Sequence, residues 1–162
     1  KYSLENIAET SATTRDYINW VSETEGGSAY SLGDVGSGIG GLLTKIPAAI
    51  NVTLFRPYPW EARKPIVAIT ALEALLFLFL TLKIIFKIGL KNIWATISAD
   101  PTIQFCLVFT LIFAFAVGIS SYNFGTLSRY KIPCMPFYAV ALIVIYYKNK
   151  RPHQQLIPFL KF

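Results

Sequence analysis

The chain has 162 residues and a formal net charge of +6, and it is 54% hydrophobic with only 15% charged residues. Soluble domains average roughly 25% charged residues, so the composition argues for a chain that meets lipid. Residues 1–55 hold three cations against six acids and residues 56–162 hold twelve against three; the basic half is also the apolar half, which favours anionic lipid and excludes nucleic acid as a partner.

Lys1 takes the place of an initiator Met, and no signal peptide opens the sequence. The expectation is a piece of a longer protein, with upstream spans or other membrane subunits as partners. Residues 4–21 are polar with sparse apolar positions (Leu4, Ile7, Tyr17, Ile18, Val21), the pattern of a weakly amphipathic helix with Ser3 as N-cap. Gly33 to Gly41 is a glycine-rich loop without the Gly-Lys-Ser/Thr ending of a phosphate-binding loop. Leu42 to Phe55 is moderately apolar but interrupted by Lys45 and Pro47, too short to span and suited to an interfacial helix.

Arg56 to Pro65 marks a boundary, with three prolines and the interface-type aromatics Tyr58 and Trp60. The first span is expected at about residues 66–86, broken by Glu73 and Lys83. Lys83, Lys87 and Lys91 follow on one helical face and can snorkel at its end. Asn92 to Asp100 is read as a short connection anchored by Trp94, and Asp100-Pro101 as a helix start. A second span is expected at 103–119 and a third, short one at about 132–147, beginning at Ile132 or at Pro136, followed by a basic tail.

The fold class is therefore all-α integral membrane, with about three transmembrane helices, an interfacial helix and an irregular extracytoplasmic N-terminal segment over 1–55. Residues 56–162 make up the transmembrane region. Six cations at the 83–91 loop and the tail, against five on the other side, orient the tail to the cytoplasm. Cys106 and Cys134 fall in or beside apolar runs and read as small buried hydrophobes, and His153 stands alone in the tail. No metal-ligand cluster exists, and no cofactor is implied.

The polar insert Ser121 to Pro136 carries the most chemistry. Arg129 suits bidentate phosphate contact and Lys131 adds a second cation, while Tyr122, Asn123 and Tyr130 offer hydrogen bonds to sugar. Arg56 and Arg63 are on the same side of the membrane and assist. Glu61 and Glu73 are the candidate acids. Glu73 lies two turns inside a span, where an ionised acid costs about 2.5–3.5 kcal/mol, so it should pair, face the bundle or be protonated.

Two segments in this order, Phe55-Arg-Pro-Tyr-Pro-Trp-Glu61 and Asn123-Phe-Gly-Thr-Leu-Ser-Arg-Tyr-Lys-Ile-Pro-Cys-Met-Pro136, resemble the C-terminal region of large bacterial membrane proteins of polysaccharide loci. These are compared with polymerases or membrane glycosyltransferases, and the resemblance covers roughly residues 28–147. It implies a bacterial inner-membrane protein handling lipid-linked glycan at the outer face. Arg129 and Lys131 would hold the pyrophosphate, and an acid, with Glu61 better placed than Glu73, would deprotonate the acceptor. The alternatives are a non-catalytic helical subunit of a larger complex and a transporter fragment.

Overall fold

The computed structural model describes residues 39–62, 64–121 and 123–150, together with Tyr17, Trp20, Tyr30 and Leu32. The glycine-rich stretch up to residue 38, most of the N-terminal amphipathic segment and the tail with His153 lie outside the described residues. Among the described residues every regular element is helical. In chain order they are α1 (Ile39–Thr44), α2 (Ile46–Phe55), a 3-10 turn (Pro59–Glu61), α3 (Pro65–Ile88), α4 (Leu90–Ala99), α5 (Pro101–Ser120), α6 (Phe124–Tyr130) and α7 (Met135–Lys148).

Helices α3 and α5 are long and apolar enough to cross a membrane, with mean hydropathies of 2.2 and 2.3. At 1.5 Å per residue they are ~36 and ~30 Å long, matching the hydrocarbon core. Each begins with proline at its first position, where the missing N–H costs nothing. Asp100 caps α5 by accepting from the Thr102 amide at 2.8 Å. Gly89, at φ +82°, ends α3 and lets the chain turn directly into α4. The apolar helices make this a membrane-embedded protein; among the described residues two helices are able to span, or three if α6 and α7 form one broken span bent by 65°.

That bend sets where the third apolar helix begins. Of the two expected starts, Ile132 and Pro136, the structure is near the second: α7 begins at Met135, and a separate α6 precedes it. Pro133 has no N–H and disfavours helical geometry at Ile132, so the two helices cannot fuse. The 92–100 connection is also helical, as α4, because Ile93 and Ile97 pack on the core one turn apart.

Helix α2 packs chiefly on α5 through small residues. Ala49 and Ala114 are fully buried, and a Cβ on Gly118 would lie 2.4 Å from the Ala49 carbonyl oxygen. Such close approach is the usual basis of helix association in lipid. The Thr53 hydroxyl lies 2.9 Å from the Ala49 oxygen and 2.8 Å from the Ala114 oxygen, so it bridges both helices. Helix α7 packs on α5 through Phe137, whose ring is 4.4 Å from that of Phe109. It meets α3 through Tyr138, whose hydroxyl is 2.6 Å from that of Thr81. The Thr81 proton goes to the Phe77 carbonyl at 2.7 Å, leaving its oxygen to accept from Tyr138. Cys106 and Cys134 are both buried and unbridged.

Candidate functional site

Helix α6 is short, and its place is set by its own sequence. The Asn123 side chain accepts from the Gly125 amide at 2.7 Å, which caps the helix. Phe124 and Leu127, three residues apart, are both buried against Val67 of α3 and Val117 of α5. Thr126 and Arg129 therefore turn outward. With Ile66 of α3, Asn123, Gly125, Thr126, Ser128 and Arg129 line a surface pocket of about 360 Å³. Arg129 is exposed in the last turn of α6, where a cation complements the helix dipole. The Ser128 hydroxyl donates to the Phe124 carbonyl at 2.6 Å. The chemistry this lining offers is an exposed guanidinium fork beside amide and hydroxyl groups, a set that matches phosphate oxygens.

Arg56 and Glu61 are brought together just before α3. Arg56 grips Glu61 with two nitrogens: Nη2 meets Oε1, and Nε donates to Oε2 at 3.1 Å. The backbone N–H of Tyr58 donates to the same Oε2 at 2.8 Å. The guanidinium carbon also lies 5.2 Å from the centre of the Phe124 ring and 5.9 Å from those of Tyr30 and Tyr58. Partial burial pushes the Glu61 carboxyl up. The Arg56 hydrogen bond, the Tyr58 amide and the Arg56 charge outweigh it and hold the group below the ordinary carboxylate range. Glu61 is therefore an anion at neutral pH, and its contacts are those of a clamp on the segment between α2 and α3. The peptide bond between Arg56 and Pro57 is cis.

Glu73 and Lys131 form the second pairing. Lys131 follows α6 and is 1% exposed; its Nζ lies 3.7 Å from Oε2 of Glu73 on α3, whose side chain is 42% exposed. At that distance the contact is an ion pair without a hydrogen bond, and the Lys131 ammonium has no hydrogen-bond partner. Arg129 and Lys131, two residues apart, thus go to different places, one to the pocket and one to the core. Arg63 and Tyr122 lie outside the described residues. Tyr130 is exposed at the end of α6.

A third pairing of charges lies at the opposite end of the bundle. Lys148, at the end of α7, contacts Asp100 with Nζ 2.5 Å from Oδ2. The Asn149 amide donates to the Thr96 hydroxyl at 2.8 Å, tying α7 to α4. The Lys148 hydrogen bond, then the Thr102 amide, holds the Asp100 carboxyl below its ordinary range. The Asp100-Pro101 start was the available signal for one partner of this pair; nothing local pointed to Lys148. Comparison of the chain with protein-family models, with curated proteins and with solved structures gives no match.

Proposed function

We propose that this chain is part of a bacterial inner-membrane protein that holds the phosphate groups of a lipid-linked glycan at the outer face of the membrane. The observation that carries the reading is the pocket beside α6, lined by exposed Arg129 with Asn123, Thr126 and Ser128 at the end of a spanning helix. A phosphate there replaces water on a guanidinium that no acid among the described residues binds, so no pair among them has to break. Arg56 and Glu61 take part as the brace behind α6, through the contact of Arg56 with the Phe124 ring. In this reading the N-terminal segment is extracytoplasmic and the tail is cytoplasmic, as the loop charges favour. If the chain contributes to glycosyl transfer, Glu61 becomes a base only when Arg56 releases it.

The test is binding of polyprenyl pyrophosphate to the purified chain in phosphatidylcholine nanodiscs. Arg129→Ala should weaken binding at least tenfold, and Arg129→Lys should recover part of it, because lysine restores charge without the bidentate fork. Equal binding by all three proteins rejects the reading.

A second reading, that of a non-catalytic subunit, is favoured by the outer side of α3. Ile66, Ile69, Leu72, Leu76, Phe79 and Phe86 are all exposed there, along the whole helix. Such a continuous apolar face can seat a neighbouring helix in place of acyl chains. Crosslinking from Leu72 into a second polypeptide, with glycan assembly unaffected by Arg129→Ala, would favour the subunit.

A further inference from the structure

At the other end of the bundle, the four lysines Lys87, Lys91, Lys148 and Lys150 are grouped around α4 with Asp100 as the acid among the described residues there. Their shared location follows from contacts. Lys87 lies 5.8 Å from the Tyr146 ring, Lys148 pairs with Asp100, and Lys150 lies 5.0 Å from the Tyr147 ring. Lys91 is on α4 itself, which Asn149 ties to α7.

Helix α4 has two unlike sides. Ile93 and Ile97 pack on the core, and Leu90 and Trp94 continue that apolar side outward at 70% and 72% exposure. Lys91, Asn92, Ala95, Thr96, Ser98 and Ala99 form the other side. This helix is joined to the ends of both spanning helices, by Gly89 to α3 and by Asp100 to α5. A polar-faced helix of that kind, at the ends of two spans, lies in the plane of the membrane surface with its apolar side toward the acyl chains. Exposed Trp94 is an interface anchor in that geometry. On its polar side Asn92, Ala95, Thr96, Ala99, Lys148 and Asn149 line a pocket of about 320 Å³.

We propose that this pocket seats the headgroup of an anionic phospholipid, with Leu90 and Trp94 against its acyl chains. Asp100 uses part of the Lys148 ammonium, whose remaining N–H donors face the phosphate together with the second N–H of the Asn92 amide, the first being given to the Ile88 carbonyl; the Asn149 amide is spent on Thr96 and Ile145 and shapes the wall of the pocket. Lys91 and Lys150, which no acid among the described residues pairs, add charge around the pocket. A lipid fits better than free phosphate, because the polar lining and the exposed apolar side belong to one helix. The inference stands apart from the pocket at α6, which lies at the opposite ends of α3 and α5.

The experiment is native mass spectrometry of the full chain released from mixed phosphatidylcholine and phosphatidylglycerol vesicles, counting retained lipid. Wild type should retain phosphatidylglycerol over phosphatidylcholine. Lys91→Gln, at an exposed position, and Lys150→Gln, at a half-buried one, should each lower that preference about fivefold. Asp100→Ser keeps a helix cap while freeing Lys148, and should raise it. Separately, Trp94 fluorescence in a Trp20→Phe, Trp60→Phe background should be quenched by lipid brominated near the headgroup. Equal retention of the two lipids, insensitivity to all three charge changes, or displacement of phosphatidylglycerol by millimolar inorganic phosphate would overturn the proposal.

Discussion

Glu73 of α3 faces Lys131 across 3.7 Å, and the lysine is the buried member of the pair. An acid near the middle of an apolar helix is thereby matched with a cation from the junction between α6 and α7. The pair ties the broken helix to α3, and its energetics are lopsided. Removing Glu73 leaves a buried ammonium that has no hydrogen bond to fall back on. Losing one partner of a fully buried pair costs about 3–5 kcal/mol, whereas replacing both by apolar or neutral groups is often neutral. Glu73 is 42% exposed and 3.7 Å away, so Glu73→Gln should destabilise the protein by less, about 1–2 kcal/mol, and Lys131→Met added to it should restore most of that. Thermal unfolding in detergent measures both. A double variant as unstable as Glu73→Gln alone would show that the pair is not what holds the junction.

Gly118 makes a sharper packing prediction. An added Cβ meets backbone, the Ala49 carbonyl oxygen at 2.4 Å and its carbon at 2.8 Å, and backbone cannot rotate away. Gly118→Ala should push α2 off α5 and cost about 1–3 kcal/mol. Gly40→Ala is the matched control, because a Cβ there meets nothing within 4 Å in a helix. It should be neutral or stabilise by up to about 1 kcal/mol. Comparable unfolding midpoints for the two variants would mean that the α2–α5 contact yields easily.

The two spanning helices were legible because a run of about twenty apolar residues after a proline leaves little choice of structure. The expected spans at 66–86 and 103–119 fall inside α3 and α5. Leu90, Ile93, Trp94 and Ile97 recur at helical spacing, so α4 was also readable, though Asn92, Thr96 and Ser98 gave the segment the look of a connection. Helix α6 was hidden because two buried residues, Phe124 and Leu127, are too few to make a period among polar neighbours. The site was harder still. The pairing of Glu73 with Lys131 and the separation of Lys131 from Arg129 depend on how α6 meets α3, which no local pattern records. The likeness of Arg56 to Arg129 as cations hid their difference: one is held by Glu61 and three rings, and the other lines an open pocket.

Asn123 both caps α6 and lines the pocket, and these roles separate by substitution. Asn123→Ala removes the acceptor for the Gly125 amide and should cost about 1 kcal/mol. Asn123→Asp keeps the cap, so unfolding should stay near wild type, while its negative charge beside Arg129 should weaken binding of polyprenyl pyrophosphate. If Asn123→Asp binds as well as wild type, Asn123 does not face the ligand.

Glu61 gives the protein a pH dependence of predictable sign. Its carboxyl is held below the ordinary range in the folded chain, so the unfolded chain takes up the proton at higher pH than the folded one. The stabilisation is complete above the unfolded carboxylate value, and it is lost as pH falls through the folded one. Asp100 is lowered too, mainly by Lys148, and contributes a slope of the same sign. Unfolding temperature should therefore fall between about pH 5 and pH 3 for wild type, and less steeply for Glu61→Gln. Adding Asp100→Asn should flatten the profile further, because that pair lies at the other end of the bundle and acts independently. At pH 7 the Glu61→Gln protein should already be less stable, since Arg56 then sits among Tyr30, Tyr58 and Phe124 without its anion. A Glu61→Gln profile parallel to wild type across this range would mean that the clamp contributes nothing to folding, and that Glu61 is free to leave Arg56.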